Sequence, residues 1–234
     1  MELLSPLEQE AFLLSLKVGL WSVVVSLPLG LAMAWALARC AFPGKTLING
    51  IVHVPLVVPP VVIGYLLLLL LGRTGPLGGL IYDLTGRTIA FTWQGAAIAA
   101  AVMAFPLMVR AMRLSLEAVD SKLEDAARTL GASRTTVFLT ITLPLMSPGI
   151  LTGALLAFAR SLGEFGATIT FVSNIPGETR TLPLALFTAA QQPGGEAAAL
   201  RLVILSILLA LLAIALSEVL ARRLQQRIGA PQDG

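Results

Sequence analysis

The chain has 234 residues, of which 56% are hydrophobic and only 12% are charged. A charged fraction about half that of an ordinary soluble domain excludes a water-soluble globule, and the high hydrophobicity excludes a disordered chain. The formal net charge of +3 is modest, and its distribution along the chain does not indicate nucleic-acid binding. The composition therefore predicts an integral membrane protein that lies in a lipid bilayer.

The first apolar segment is predicted to stay in the mature protein, because no basic residue precedes Lys17 and a cleavable signal peptide needs a basic start. A single cysteine, Cys40, excludes an internal disulfide framework, and a single histidine, His53, leaves too few ligands for a metal site. We interpret His53 as a structural histidine rather than a proton relay. We expect neither a metal site nor catalytic residues.

Apolar stretches recur along the chain, and about 20 apolar residues are enough to cross the hydrocarbon core. We predict an all-α membrane protein with one transmembrane domain, residues 11–221, whose five spans cover residues 11–38, 47–71, 89–109, 145–170 and 197–221. The second span contains three prolines, Pro55, Pro59 and Pro60, which remove helix hydrogen bonds and bend it. The connection after it, residues 72–87, is Gly-rich and polar, and the apolar piece at 182–190 is too short to span.

Basic residues predict the orientation of the spans, because Lys and Arg gather on the cytoplasmic side. The turn at 39–45, the loop at 110–144 and the tail at 222–234 hold two, five and three Lys or Arg. The connections on the other side hold three: Arg73, Arg87 and Arg180. This bias places the N-terminus, residues 1–10, outside and the tail in the cytoplasm.

The cytoplasmic loop has the pattern of a helix, a glycine turn and a second helix. Ser121 and Glu124 fit a capping box, and Glu124 precedes Arg128 by four residues, the favourable order for an ion pair. Gly131 is placed to end the first helix in a left-handed conformation, and residues 133–142 form a second amphipathic run.

A small apolar patch, formed by Ala126, Ala127 and Leu130, follows from this helix. The patch fits two interpretations. The loop either lies on the lipid headgroups, as many amphipathic segments do, or docks on a cytosolic partner.

Charged and hydroxyl side chains occur within the fourth span. Arg160 and Glu164 lie four residues apart. They fit two interpretations: a place at a translocation path or its outer gate, or a structural ion pair within one helix. Ser161, Thr168 and Thr170 either donate hydrogen bonds to a tetrahedral oxyanion on that path or bond the backbone one turn earlier.

The loop also contains a long gapped motif. Asp125-Ala126-Ala127 is followed by Gly131 and then by Ile141-Thr142-Leu143-Pro144. This spacing resembles the EAA loop of bacterial ABC-importer permeases, Glu-Ala-Ala-x3-Gly-x9-Ile-x-Leu-Pro, with Asp125 at the usual Glu position. The resemblance implies a type I permease core whose residues 121–144 couple to a groove of a separate cytosolic ATPase. The coupling residues that it implies are Glu124, Asp125, Ala126, Ala127, Arg128, Leu130, Gly131, Ile141, Leu143 and Pro144.

Three further runs, SLGEFGATITF at 161–171, GETRT at 177–181 and QPGGE at 192–196, resemble molybdate permease subunits. The resemblance implies an inner-membrane permease that pairs with a second copy of itself, two ATPase copies and a periplasmic molybdate-binding protein. Tungstate is an open alternative substrate, and the sulfate/thiosulfate permeases are a similar group. The chain has no G-x-x-x-x-G-K-[ST] loop, so we expect no cofactor of its own and ATP bound by the partner ATPase.

Two other functional classes fit the sequence less well. A secondary anion transporter often shows inverted repeats or acidic proton relays, and neither is visible here. An intramembrane enzyme is not indicated, because the sequence has no H-E-x-x-H pair and no G-x-S-x-G elbow.

Overall fold

The computed structural model describes residues 4–228, except the side chains of 217, 218 and 221–228, and this part of the chain is helical without strands. A π-helical turn, Phe138–Thr142, leads into the eighth helix. The helices are α1 (Pro6–Arg39), α2 (Lys45–Val57), α3 (Pro60–Leu71), α4 (Pro76–Thr85), α5 (Trp93–Glu117), α6 (Ser121–Thr129), α7 (Arg134–Val137), α8 (Leu143–Leu162), α9 (Gly166–Val172), α10 (Leu182–Gln191) and α11 (Glu196–Ile228).

Within residues 4–228, four helical segments are long and apolar enough to cross a membrane: Pro6–Arg39, Trp93–Glu117, Arg134–Leu162 and Glu196–Leu216. The pair α2 and α3 passes the same test but is bent by 115°, and counting it as one broken span gives five. The all-α fold with five spans is therefore confirmed. The helix α11 continues into the predicted tail, and residues 229–234 of that tail lie outside the described residues.

The first span begins earlier than predicted, at Pro6, because Ser5 caps it. The Ser5 hydroxyl accepts from the backbone N–H of Glu8 at 3.3 Å, and the Glu8 carboxylate accepts from the Ser5 backbone N–H at 2.6 Å. Glu8 also forms an ion pair with Arg201 of α11 at 2.9 Å. The first and last spans are thus joined near one membrane surface.

The break in the second span lies at Val58 and Pro59, where both residues have extended backbone angles. Pro60 starts α3, whereas Pro55 sits within α2 without ending it. The predicted bend is thus a sharp break of 115° between two helices rather than a gentle curve in one. It allows α3 to cross α9 so closely that a Cβ on Gly64 would lie 2.5 Å from the Ala167 carbonyl oxygen.

The third span and the connection before it differ from the sequence prediction. The span begins at Trp93, because the Thr92 side chain accepts from the Gly95 backbone N–H at 3.2 Å, and it continues to Glu117, well beyond residue 109. The connection contains the helix α4, whose Gly78 packs against the backbone of the preceding turn. The glycines of this segment indicated a polar connection, whereas the structure has a short apolar helix there.

The sequence predicts a continuous fourth span to residue 170, and this prediction is wrong. The span ends at Leu162, and α9 starts at Gly166 after a break. The Glu164 carboxylate accepts from the Ala167 backbone N–H at 2.8 Å, and so satisfies a donor at the start of α9. A charged side chain that caps a new helix is therefore the local reason for the break.

The helix α5 lies at the centre of the fold between α1 and α8. Its alanine-rich face is buried, and Ala96, Ala99 and Ala100 have no exposed surface. Gly153 of α8 faces it so closely that a Cβ there would lie 3.0 Å from the Met108 carbonyl oxygen. Small residues on both helices permit this approach, which fixes α8 and the loop that precedes it against the core.

Candidate functional site

The loop between α5 and α8 folds as the sequence predicts, with a helix, a glycine turn and a second helix. Gly131 follows α6 with a φ of +89°, the left-handed conformation. Its backbone N–H and that of Ala132 donate to carbonyls in the last turns of α6, at 2.9 and 3.1 Å. Ser133 then caps α7 by accepting from the Thr136 backbone N–H at 3.2 Å.

The predicted capping box at the start of α6 is wrong. The N-cap is Asp120, whose side chain accepts from the Lys122 backbone N–H at 2.9 Å. Glu124 does not reach back to the helix start, nor does it pair with Arg128, whose guanidinium lies 3.6 Å from the exposed Asp125 carboxylate. Both predictions failed because Glu124 points inward and is only 6% exposed.

The inward-pointing Glu124 joins three elements. Its Oε1 lies 3.3 Å from Arg39 Nη2 at the end of α1, and it accepts from the Thr142 hydroxyl at 2.8 Å. The same Arg39 nitrogen donates to the carbonyls of Leu116 and Val119, where α5 ends. Because a buried carboxylate without a partner is costly, this network fixes α6 to the ends of α1 and α5 and to the start of α8.

Arg39 is a site residue that sequence analysis missed. It was counted only as one of the basic residues of a short turn. Only an indirect feature of the sequence indicates its role. The acid on the inner face of α6, Glu124, needs a cationic partner from another part of the chain.

The outward face of α6 carries an exposed apolar row. Leu123 is 50% exposed and Leu130 is 90% exposed, while Ala126 is exposed and Ala127 half-buried. These residues lie at positions i, i+3, i+4 and i+7, which share one helix face. The row confirms the predicted patch and adds Leu123 to it. A surface helix normally turns its apolar side to the core, so this helix has the opposite arrangement among the described residues.

The second half of the motif lies beneath this helix. Ile141 and Leu143 are half-buried and Pro144 is exposed in the first turn of α8. Only Thr142, between them, is fully buried and contacts Glu124. The structure thus brings the two halves of the gapped motif together through the Glu124 carboxylate.

The charged pair of the fourth span forms an ion pair, with Arg160 Nη1 at 2.8 Å from Glu164 Oε2. The N–H does not point at that oxygen, so the contact is electrostatic rather than an aligned hydrogen bond. Glu164 is buried, whereas the Arg160 side chain is 29% exposed. The pair joins the last turn of α8 to the break that precedes α9.

The three predicted hydroxyl donors all bond backbone carbonyls of their own segment. Ser161 donates to Ala157 at 2.7 Å, Thr168 to Phe165 at 2.8 Å and Thr170 to Gly166 at 2.9 Å. Of the two interpretations given for these hydroxyls, these contacts match the one in which they bond the backbone rather than a passing oxyanion. The ring of His53 behaves similarly, with Nδ1 at 2.8 Å from the Asn49 carbonyl oxygen.

Comparison with known proteins agrees with this architecture. Residues 26–226 match the family described as binding-protein-dependent transport system inner membrane components. The chain belongs to this family. It is an inner-membrane, multi-pass transport component, as the resemblance of the loop between α5 and α8 predicted, and its relatives are named as permeases.

Individual relatives in this permease family cover most of the chain. The molybdenum transport system permease protein ModB of Escherichia coli K12 is 63% identical over 95% of this chain and 97% of its own length. The Haemophilus influenzae protein of the same name is 56% identical over the same shares. The sulfate transport system permease protein CysW of Synechococcus elongatus is 40% identical over 79% of this chain and 64% of its own length.

Solved structures of similar fold are ABC transporters. A bacterial alginate ABC transporter, also solved in complex with an alginate-bound periplasmic protein, matches with a TM-score of 0.74 and 16% identity, covering 94% of this chain and 80% of that one. The MetNI methionine ABC transporter matches with a TM-score of 0.66 and 15% identity, covering 93% and 94%. With sequence identities of 15–16%, the structural similarity supports the fold alone.

Proposed function

We propose that this chain is the membrane-spanning permease subunit of an ATP-driven importer of molybdate. The observation that carries the proposal is the 63% identity with a molybdenum transport permease over 95% of the chain. The run at 161–171, which contains the break between α8 and α9, supports the same subgroup. The sulfate permease relative is less similar, and so sulfate is the second candidate substrate.

A separate ATPase supplies the energy, because this chain has no nucleotide-binding loop. We place the exposed apolar row of α6 in a groove of that ATPase. Two permease copies and two ATPase copies form the transporter, and a periplasmic molybdate-binding protein delivers the substrate. The complex of the alginate transporter with its periplasmic protein supports this type of assembly.

In this proposal the N-terminus is periplasmic and the C-terminal tail cytoplasmic. Ten Lys or Arg lie in the turn at 39–45, the loop at 110–144 and the tail, against three in the opposite connections. The network of Arg39 with Glu124 agrees, because it joins the turn to the loop and both were assigned to one side.

The translocation path in this proposal passes the break between α8 and α9. Irregular backbone at membrane depth is tolerated where it lines a cavity, and this break contains the only ion pair within the fourth span among the described residues. Arg160, partly exposed, is the cation available to a passing anion. The neighbouring Ser161, Glu164, Thr168 and Thr170 shape the segment through their backbone contacts. Removing all water from a divalent anion is costly, so we expect a wet path.

Substrate choice tests the proposal. The permease and its ATPase are placed in vesicles, with the molybdate-binding protein supplied. These vesicles should accumulate molybdate when ATP is present on the side of the membrane that holds the ATPase. Tungstate should be taken up comparably, because the two oxyanions share their charge and nearly their size. Sulfate uptake at the molybdate rate, with the molybdate-binding protein supplied, would assign the chain to the sulfate group instead.

A further inference from the structure

A second feature of the cytoplasmic end is a cavity of about 360 Å³ where the last turn of α1 meets α6, α7 and the π-helical turn. Three arginines line it, Arg39, Arg128 and Arg134, together with one acid, Glu124. The formal charge of the lining is therefore positive. Glu124 already accepts from Arg39 and Thr142, so its charge is neutralised within the network.

The guanidinium groups of Arg128 and Arg134 retain donors for a ligand. Arg39 Nε is buried without a hydrogen-bond partner among the described residues, so Arg39 contributes positive charge to the cavity rather than an accessible Nε donor. The ion pairs of the described residues do not include Arg134, and the partner of Arg128 is the exposed Asp125 at 3.6 Å. An exposed pair of this kind contributes little stability, so Arg128 can turn to a stronger acceptor at small cost.

An aromatic wall completes the cavity. Trp35 and Phe138 line it and contact each other edge to face, with ring centroids 5.0 Å apart. Trp35 lies one turn before the end of α1, which ends at Arg39. An aromatic ring beside basic residues at the end of a membrane span is the composition found at the level of lipid headgroups.

We propose that this cavity binds a phosphate-type tetrahedral oxyanion between the arginines of α1, α6 and α7. Guanidinium forks match the paired oxygens of such a group, and the single carboxylate in the lining is already paired. The oxyanion comes either from the headgroup of an anionic lipid, which reaches the cavity beside Trp35, or from free anion in the aqueous phase. The site does not depend on which substrate the permease transports.

Trp35 provides a direct reporter of occupancy. The chain has three tryptophans, so Trp21→Phe and Trp93→Phe together leave Trp35 as the only one. This full-length chain is placed in nanodiscs of zwitterionic lipid that contain a minor fraction of either brominated phosphatidylglycerol or brominated phosphatidylcholine. We expect the phosphatidylglycerol to quench Trp35 emission more strongly than the phosphatidylcholine at equal fraction.

Matched variants separate the site from a general surface effect. Arg134→Gln should abolish the excess quenching, and Arg134→Lys, which keeps the charge but loses the fork, should keep part of it. Lys122→Gln removes an exposed basic residue of α6 that does not line the cavity, and should keep the full excess.

Titration with inorganic phosphate and with molybdate distinguishes the two sources. Excess quenching that neither anion displaces identifies the lipid headgroup. A saturable change in Trp35 emission with either anion, without lipid preference and lost in Arg134→Gln, identifies free oxyanion. Equal quenching by both lipids with no response to either anion would overturn the proposal, as would a lipid preference that survives Arg134→Gln.

Discussion

Gly131→Val is expected to reduce ATP-driven molybdate uptake to background while the permease still inserts in the membrane. Gly131 has a φ of +89°, and a Cβ there would meet no atom within 4 Å. The substitution therefore acts through backbone strain alone, at a cost of about 1–3 kcal/mol, which a β-branched residue relieves by leaving the left-handed region. That change redirects the chain between α6 and α7 and tilts the apolar row away from its partner.

A matched control is available in the connection between α3 and α5, which the sequence predicts to be external. Gly86 ends α4 with a φ of +69° and also has open space around its Cβ position, so Gly86→Val creates the same strain outside the loop between α5 and α8. Gly72 is a poorer control, because a Cβ there would meet the Leu68 carbonyl oxygen. Uptake and ATPase stimulation are measured in the same vesicles. Wild-type coupling in Gly131→Val, or equal losses in both variants, would contradict a transmission role for this loop.

Glu124→Ala is expected to uncouple the transporter and to destabilise the loop. The substitution removes the carboxylate that holds Arg39 and Thr142, and leaves a partly buried guanidinium without its charge partner. Breaking a buried pair in this way costs on the order of 3–5 kcal/mol. Because α6 then loses its attachment to α1 and α8, motion of the helix no longer reaches the spans. Limited proteolysis of the loop should accelerate, and molybdate uptake per ATP hydrolysed should fall severely.

The control for this prediction is another acid of the same region. Glu117 forms an ion pair with Arg113 at 2.7 Å, but its side chain is 42% exposed. Exposed helix pairs contribute about 0–1 kcal/mol, so Glu117→Ala should leave proteolysis and coupling close to wild type. If Glu124→Ala behaved like Glu117→Ala, the Arg39–Glu124–Thr142 network would not connect the loop to the spans.

Features that rest on local pattern were accessible from the sequence. The apolar lengths predicted the spans, the prolines predicted a bend in the second one, and Gly131 predicted the left-handed turn, because each depends on neighbouring residues alone. The gapped motif likewise predicted which loop carries the exposed apolar row.

Features that depend on distant partners were not accessible. Glu124 satisfies the local rules for a capping box and for a pair with Arg128. In the structure it pairs instead with Arg39, which lies 85 positions away in the chain. The break after Leu162 had a similar cause. The sequence places Glu164 within a span, but its carboxylate caps α9, and the absence of a side chain at Gly64 lets α3 approach that short helix closely. Tertiary contacts overrode local preference at both places.

The glycines of α8 show the same limit. The spacing of Gly149 and Gly153 in the sequence permits close contact with another helix but does not specify which helix. In the structure the two glycines face Ser115 and Met108 of α5 in the same chain. Sequence spacing identified the close approach but not the helix that makes it.

The most direct test of the account is a contact between α6 and the ATPase. A photoreactive amino acid replaces Leu130, the most exposed member of the apolar row, in membranes that hold the permease, the ATPase and the binding protein. The control position is Leu80 in α4, an exposed apolar residue in the predicted external connection. We expect a crosslink from position 130 to the ATPase and none from position 80. A crosslink to the ATPase from position 80, or its absence at position 130 in an assembled and active transporter, would contradict it.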